Sequence, residues 1–358
     1  METERWKTFS TQDTEFFKYL DGRFSTSHRA LPVRSLNIGS GSERVTFEIV
    51  PLKEIVRPSL GVVLWHVIRP RTLVLSIGPM MVTTFACWGS GRAVNPVIAL
   101  SSFLGVLFFH FAANLFNDYG DHIEGRDRLR PSGGTRVIQN GWVAAANINR
   151  WGWGFLLAAG VCGLPAVLMH LAPVTVVAGV TALVGLEFAF RRLHLKARGW
   201  SEVIAFALTG PLLSGGFAWA ITGVVSLDHV VLGGIFGGLS LMYFHAVNFE
   251  NIMCDSQAGV RTWATRSGFD ASKRFFVFTA AVVFTCALAF VWRFAPTPAM
   301  FVVIAVMAGS LLTLCLRVRR LASPLASGLV GLRGSVLTLA WSLTLLLIGA
   351  FTVGMMGW

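Results

Sequence analysis

Charged side chains are scarce in this 358-residue chain. Asp, Glu, Lys and Arg make up 13% of it, 54% is hydrophobic, and the mean hydropathy is +0.63. Soluble domains carry roughly 25% charged residues, so the shortage excludes an ordinary soluble domain and predicts an integral membrane protein. Paired cysteines are missing too. Cys87, Cys162, Cys254, Cys286 and Cys315 contain no CxxC pair, so neither a disulfide framework nor a zinc site is indicated. Residues 1–60 lack the short apolar core of a signal peptide.

Long apolar runs take the place of charge. A bilayer-spanning helix needs about 20 apolar residues. Runs of that kind lie near 72–91, 96–118, 152–170, 173–190, 202–225, 229–249, 275–293, 298–316 and 335–357. They predict an all-α polytopic fold of about nine transmembrane helices, with residues 61–358 forming the membrane domain. Residues 1–60 are polar and mixed and read as a small cytoplasmic extension, with "TQDTEFFKYL" (11–20) as a helix and "VTFEIV" (45–50) as a strand.

The chain carries a net charge of +12 with a pI near 10.4. Such a balance first suggests nucleic acid, but membrane topology accounts for it better. With the N-terminus in the cytoplasm, only Arg92 and Arg293 fall on the far side, leaving 28 of the 30 Lys and Arg on the cytoplasmic side. The positive-inside rule then places the N-terminus inside and the C-terminus outside. The partners expected are membrane lipid and small molecules, with no nucleic acid.

One polar stretch stands out because it occurs twice. "NLFNDYGDHIEGRD" (114–127) closes the second apolar run, and "NFENIMCDSQAG" (248–259) closes the sixth. An offset of 134 maps Asn114 to Asn248, Asn117 to Asn251, Asp121 to Asp255 and Gly125 to Gly259. Offsets of 0, 3 and 7 share one helix face. Asn114, Asn117, Asp118 and Asp121 therefore form one polar stripe, and Asn248, Asn251 and Asp255 are expected to form a matching one. A single copy reads as an ordinary loop entry with Asn and Asp capping turns. Two matched copies at membrane depth point instead to an interior cavity.

Oxygen-only ligands suit a hard cation, and Mg2+ typically takes one or two carboxylates and completes its shell with water and substrate phosphates. Asp121 and Asp255 are the candidate metal-holding residues. Arg136, Lys196 and Arg198 are candidates for diphosphate oxygens, although each also serves as a topology signal. A diphosphate at the mouth of an apolar cavity implies a lipid tail running inward, that is, a prenyl diphosphate.

These residues resemble the UbiA superfamily of intramembrane prenyltransferases, and are most similar to its 1,4-dihydroxy-2-naphthoate polyprenyltransferase branch. "IRPRTLVLSIGP" (68–79), the first Asp-rich stretch with Gly125 and Asp127, "ARGWSEVIAFALTGP" (197–211) and "AGVRTWATRSG" (258–268) carry the likeness, which runs from about residue 64 to the C-terminus. The resemblance implies helices around a central cavity open to the cytoplasm and to lipid. It implies Asn117, Asp121, Asp127, Asn251 and Asp255 as metal ligands, and Asp118, Asp121 and Asp255 as catalytic carboxylates. Arg69 of the "RP" pair is a candidate anchor for an anionic acceptor, although it also serves as a topology anchor, and Asn114 and Asn248 join the substrate contacts. The chain departs from the family pattern in three places. Asn251 stands where Asp is usual, Phe188 and Phe190 stand where a tyrosine is usual near the acceptor, and residues 1–60 exceed the usual length.

Glu202 and Glu187 are further candidates to orient or deprotonate an acceptor, although Glu202 also fits a helix-N-terminal acid favoured by the dipole. His110 and His245 read as packed and hydrogen-bonded residues. The reaction implied is Mg2+-dependent prenyl transfer to an aromatic acceptor, a dihydroxynaphthoate first. A terpene cyclase, a transporter and a non-catalytic prenyl-lipid binder are the alternatives. The topology is directly testable. A reporter fused after Arg128 should behave as cytoplasmic and one at the C-terminus as extracytoplasmic; finding both on one side overturns the nine-span arrangement.

Overall fold

The computed structural model describes residues 5–37, 43–129, 134–169, 199–257 and 259–356. Strand β1 (Trp6–Ser10), helix α1 (Phe16–Asp21), β2 (His28–Leu36) and β3 (Arg44–Pro51) come first. The strands pair antiparallel in the order β1-β3-β2. β3 occupies the centre because its alternation is cleanest: Val45, Phe47 and Ile49 point inward and are buried. They pack against Phe16 and Leu20 of α1. The expected strand at 45–50 and part of the expected helix at 11–20 are both present.

The chain then becomes helical. It runs through α2 (Leu60–Ile68), α3 (Val74–Gly89), α4 (Pro96–Ile123), the single turn α5 (Arg126–Leu129) and α6 (Ala145–Met169). Next come α7 (Ser201–Thr209), α8 (Pro211–Thr222), α9 (Leu227–Glu250), α10 (Ile252–Gln257), α11 (Trp263–Ser267), α12 (Phe269–Phe294), α13 (Pro298–Arg319) and α14 (Leu332–Met355). Among the described residues, eight helical segments are long and apolar enough to cross a membrane. They match eight of the nine expected runs; the run at 173–190 lies outside the described residues. The protein is therefore an integral, multi-pass membrane protein.

Besides the last, Ser327–Met355, which opens on a 3-10 turn at Ser327–Leu329, two of these segments are broken. The first, Leu60–Gly89, begins earlier than the apolar run at 72–91. Arg69 interrupts it with φ 52° and ψ 64°, and a 3-10 turn at Pro70–Leu73 leads into α3. Pro70 disfavours a right-handed helical conformation at the residue before it, which ends α2 at Ile68. The other, Ser201–Thr222, is divided at Gly210–Pro211.

The principal core gathers α3, α9, α12, α13 and α14 around Phe236, Phe249, Phe276 and Phe290. Lipid tails are as apolar as these side chains, so close packing has to supply what the hydrophobic effect supplies in water. The break between α7 and α8 shows this. Gly210 lies against Gly233 and Gly237 of α9, where a Cβ on Gly233 would meet Pro211 Cα at 2.6 Å and one on Gly237 would meet the Phe206 carbonyl oxygen at 2.5 Å. Thr209 Oγ1 also donates to Ser240 Oγ at 2.6 Å.

Gly233→Ala should therefore lower the thermal midpoint in detergent, reflecting an overpacking cost of about 1–3 kcal/mol. Gly154→Ala, at a position with open space around it, should be neutral or slightly stabilising. Equal midpoints for the two variants would show that the α9 contact is not limiting.

Candidate active site

The site is organised around the interruption at Arg69. Ending α2 there exposes backbone carbonyls that a continuous helix would satisfy. Asn114 Nδ2 donates to the Ile68 carbonyl at 3.1 Å, and Trp341 Nε1 donates to that of Arg71 at 3.1 Å. One turn further along, His110 bonds Thr72 Oγ1 at 3.0 Å and Ser76 Oγ at 2.6 Å. The seam between the first two membrane segments is thus polar, and His110 is hydrogen-bonded as expected.

Turned out of the helix, the Arg69 guanidinium forms an ion pair with Asp118. Asp121, Asp127 and Tyr243 lie within electrostatic reach of it. Asp118 accepts a second hydrogen bond from Thr135 Oγ1 at 2.7 Å. Asp121 accepts from Asn117 Nδ2 at 3.2 Å, and Arg126 Nη1 lies 3.7 Å from its other oxygen. Asp127 accepts from Gln139 Nε2 at 2.7 Å, while its backbone carbonyl accepts from Arg136 Nη1 at 3.0 Å. All three aspartates are buried. A Cβ on Gly134 would lie 3.3 Å from Asp127 Oδ1 and 3.8 Å from Asp118 Oδ1, so both carboxylates border the same small volume.

The second stretch is built differently. α9 ends at Glu250 and Asn251 is its C-cap, with φ −101° and ψ 10°. The expected continuous stripe of Asn248, Asn251 and Asp255 is therefore broken; Asp255 belongs to the separate short helix α10. Asn251 Nδ2 donates to the Val247 carbonyl at 2.7 Å. Asn248 Nδ2 donates to Glu202 Oε1 at 2.7 Å. Glu202 is 2% exposed, also accepts from Ser201 Oγ at 2.7 Å, and has His245 Nδ1 3.8 Å away. His245 Nε2 bonds the Ser272 carbonyl at 3.0 Å. These contacts give Asn248 and Glu202 a mutual holding role between α7 and α9. Asp255 is 1% exposed.

Lys196, Arg198, Phe188, Phe190 and Glu187 lie outside the described residues. The structure adds residues that sequence reasoning missed: Thr135 and Gln139, which hold Asp118 and Asp127, and Tyr243, near Arg69. The turn-rich "SGGTRVIQNG" (132–141) directly follows the first stretch. That adjacency was the available signal for the first two. The described part of the site is a buried cluster of carboxylates and guanidiniums, with all-oxygen anionic donors beside fixed N–H groups. Such a set can hold a hard cation together with an anionic phosphate ligand.

The chain has relatives among known proteins. A 1,4-dihydroxy-2-naphthoate octaprenyltransferase from Haemophilus influenzae is 25% identical over 237 residues, covering 63% of this chain and 76% of the relative. One from Bacillus subtilis is 24% identical over 270 residues, covering 72% and 81%. The fold is similar to that of a UbiA homologue from Archaeoglobus fulgidus bound to GPP and Mg2+. That pair has a TM-score of 0.58 at 16% identity and covers 82% of this chain and 99% of the other. An apo UbiA homologue from Aeropyrum pernix K1 gives a TM-score of 0.57 at 16% identity, covering 77% and 98%. The sequence model of the UbiA prenyltransferase family matches residues 77–326, and the chain accordingly belongs to that family and is a membrane-embedded prenyltransferase.

Proposed function

We propose that the enzyme transfers a prenyl group from a prenyl diphosphate to a fused bicyclic aromatic acceptor of the dihydroxynaphthoate type, in quinone-type biosynthesis. The observation that carries the donor half is the gathering of Arg69, Asp118, Asp121 and Asp127 around the end of α4. The acceptor half rests on the naphthoate octaprenyltransferase names of the relatives. The basic loops support a site mouth facing the cytoplasm.

Mg2+ fits the donor set. Among the described residues no three or more His, Cys, Asp or Glu side chains form a dedicated cage, and Mg2+ does not ordinarily use one. Asp121 and Asp255, one carboxylate from each stretch, would hold it, with Asp127, Asn117 and Asn251 as further oxygen donors at the site. The bound ion supplies charge neutralisation for a departing diphosphate. The chain's own residues do the rest. Asp118 fixes Arg69, and Arg136 is tied to the Asp127 backbone. Their guanidiniums, with Lys196 and Arg198, present N–H groups to diphosphate oxygens, stabilising charge as it develops.

In the transfer, the allylic C–O bond breaks and its electron pair leaves with the diphosphate. A ring carbon of the acceptor then forms the new C–C bond, and loss of its carboxylate as CO2 restores aromaticity. Phe188 and Phe190 are proposed to stack on the ring.

Asp121→Ala and Asp255→Ala should each reduce pyrophosphate release by at least about 100-fold, the scale seen when transition-state charge stabilisation is removed, at unchanged expression. Near-normal turnover in either variant overturns its assignment. Asn251→Asp restores the commoner family residue and should retain activity. For the acceptor, product analysis by mass spectrometry should show dihydroxynaphthoate consumed and a monocyclic hydroxybenzoate not competing. Faster prenylation of hydroxybenzoate removes the acceptor assignment alone. A cyclic hydrocarbon formed without acceptor replaces transfer with cyclisation.

A further inference from the structure

We infer that the N-terminal cap, Trp6–Pro51, is a positioning element of the donor site, acting on Asp127 through His122 and Gln139. The inference rests on the reading of Asp127 as a donor-site carboxylate. The cap precedes the family match at residues 77–326, yet it docks on the first Asp-rich stretch.

Two separate contacts make the connection. The first is a hydrogen-bonded relay. The carbonyl of Leu20, in α1 of the cap, accepts from His122 Nε2 at 2.9 Å. His122 follows Asp121 directly and is 2% exposed. Gln139 Nε2 lies 3.3 Å from His122 Nδ1 and 2.7 Å from Asp127 Oδ2. A neutral imidazole has one donor and one acceptor nitrogen, and a primary amide nitrogen has two hydrogens. The pattern closes in one sense: His122 donates to the cap, and Gln139 donates to both His122 and Asp127. Turning the amide round would set its oxygen against two acceptors, the Asp127 carboxylate and the His122 Nδ1 lone pair, and the other imidazole tautomer would set N–H against N–H at Gln139. The cap thereby fixes the imidazole, the imidazole fixes the amide, and the amide orients the carboxylate.

The second contact is an ion pair. Glu43, immediately before β3, accepts from Arg128 Nη2 at 2.5 Å, with both side chains 7% exposed. Arg128 is the next residue after Asp127, in the four-residue helix α5. One helical turn is too short to be stable alone, so this turn takes its position from what surrounds it. The cap also seats Ile123, the last residue of α4, against its own apolar core. A Cβ on Gly22 of the cap would touch Ala144 Cβ at 3.0 Å, in the segment that carries Gln139. The cap therefore braces the helix end before Asp127, the turn that contains it and the segment that holds its oxygen.

Gln139 and His122 are positioning residues, because they act on the substrate only through Asp127. Partners of this kind typically change metal affinity or activity by 10–100-fold when removed. The test is calorimetric titration of the full-length protein in detergent with inorganic pyrophosphate at fixed Mg2+. It reads stoichiometry separately from Kd. Gln139→Leu and Glu43→Gln should each raise Kd at least about 10-fold with the stoichiometry of the folded protein kept, even where the lost buried contact lowers the thermal midpoint. Arg5→Ala, which removes the exposed Arg5–Glu48 pair elsewhere in the cap, should leave Kd unchanged. A purely structural role would lower the stoichiometry or the midpoint and leave Kd alone, which overturns the inference, as does wild-type affinity in both variants. Should Gln139→Leu not accumulate as folded protein, Glu43→Gln carries the same comparison from the cap side. Absence of binding by the unaltered protein is a different result and overturns the donor-site reading itself.

Discussion

Everything at the inner end of the site depends on one ion pair, Arg69 with Asp118. Two charges at the edge of a membrane segment are expensive to bury, and each is tolerable only because the other is there. The chain meets the requirement by breaking its first segment. Arg69 adopts a left-handed backbone conformation, which costs of order 1–3 kcal/mol for a residue other than glycine. The break swings the guanidinium toward α4. It also creates the carbonyl that Asn114 satisfies. Removing Arg69 would leave the buried Asp118 without its ion-pair partner, a change of about 3–5 kcal/mol. The pair thus fixes the register of the first two segments and with it the facing of Asp121 and Asp127.

The two Asp-rich stretches match in sequence and differ in use. In the first, α4 runs unbroken to Ile123, so Asn114, Asn117 and Asp121 keep their common face. In the second, α9 stops at Glu250 and the chain turns before Asp255. Asn114 caps a broken helix, whereas its counterpart Asn248 holds Glu202. Asn117 donates to Asp121, whereas its counterpart Asn251 bonds back to its own helix. A repeat in residue type therefore preserves the two carboxylates and lets their neighbours take on separate structural tasks.

That difference also marks what could be read from sequence. Eight membrane segments were legible because a bilayer imposes a length of apolar chain that few other constraints imitate. The start of the first was not, because Arg69 and Arg71 interrupt the apolar run while the helical path continues back to Leu60. β3 was visible through the alternation of Val45, Phe47 and Ile49. β1 and β2 owe their strand form to pairing with it. In the site, the aspartates were legible through spacing and repetition. Thr135 and Gln139 were not, because a hydrogen bond from a turn-rich loop to a carboxylate 12 to 17 residues earlier has no periodic signature.

The burial of the membrane segments explains why the bracing falls where it does. Among the described segments, the one that carries Asn248 and leads to Asp255 is the most buried, at 67% against 22% for α4. Val97 and Leu100 of α4 are exposed, and lipid against such positions gives little directional restraint. The second stretch therefore inherits rigidity from the core around Phe236 and Phe249. The first stretch lies at the end of a more exposed helix, packed along α6 at Gly105 and bonded to the first segment through His110 and Asn114, and its carboxylates are fixed at that end. Arg69 grips it from the preceding segment, Thr135 and Gln139 from the following loop, and Leu20 and Glu43 from the sheet-bearing cap. The polar N-terminal fold and the apolar bundle are in this sense parts of one solution, in which a soluble-type element adds hydrogen bonds at the end of a helix whose shaft is partly exposed.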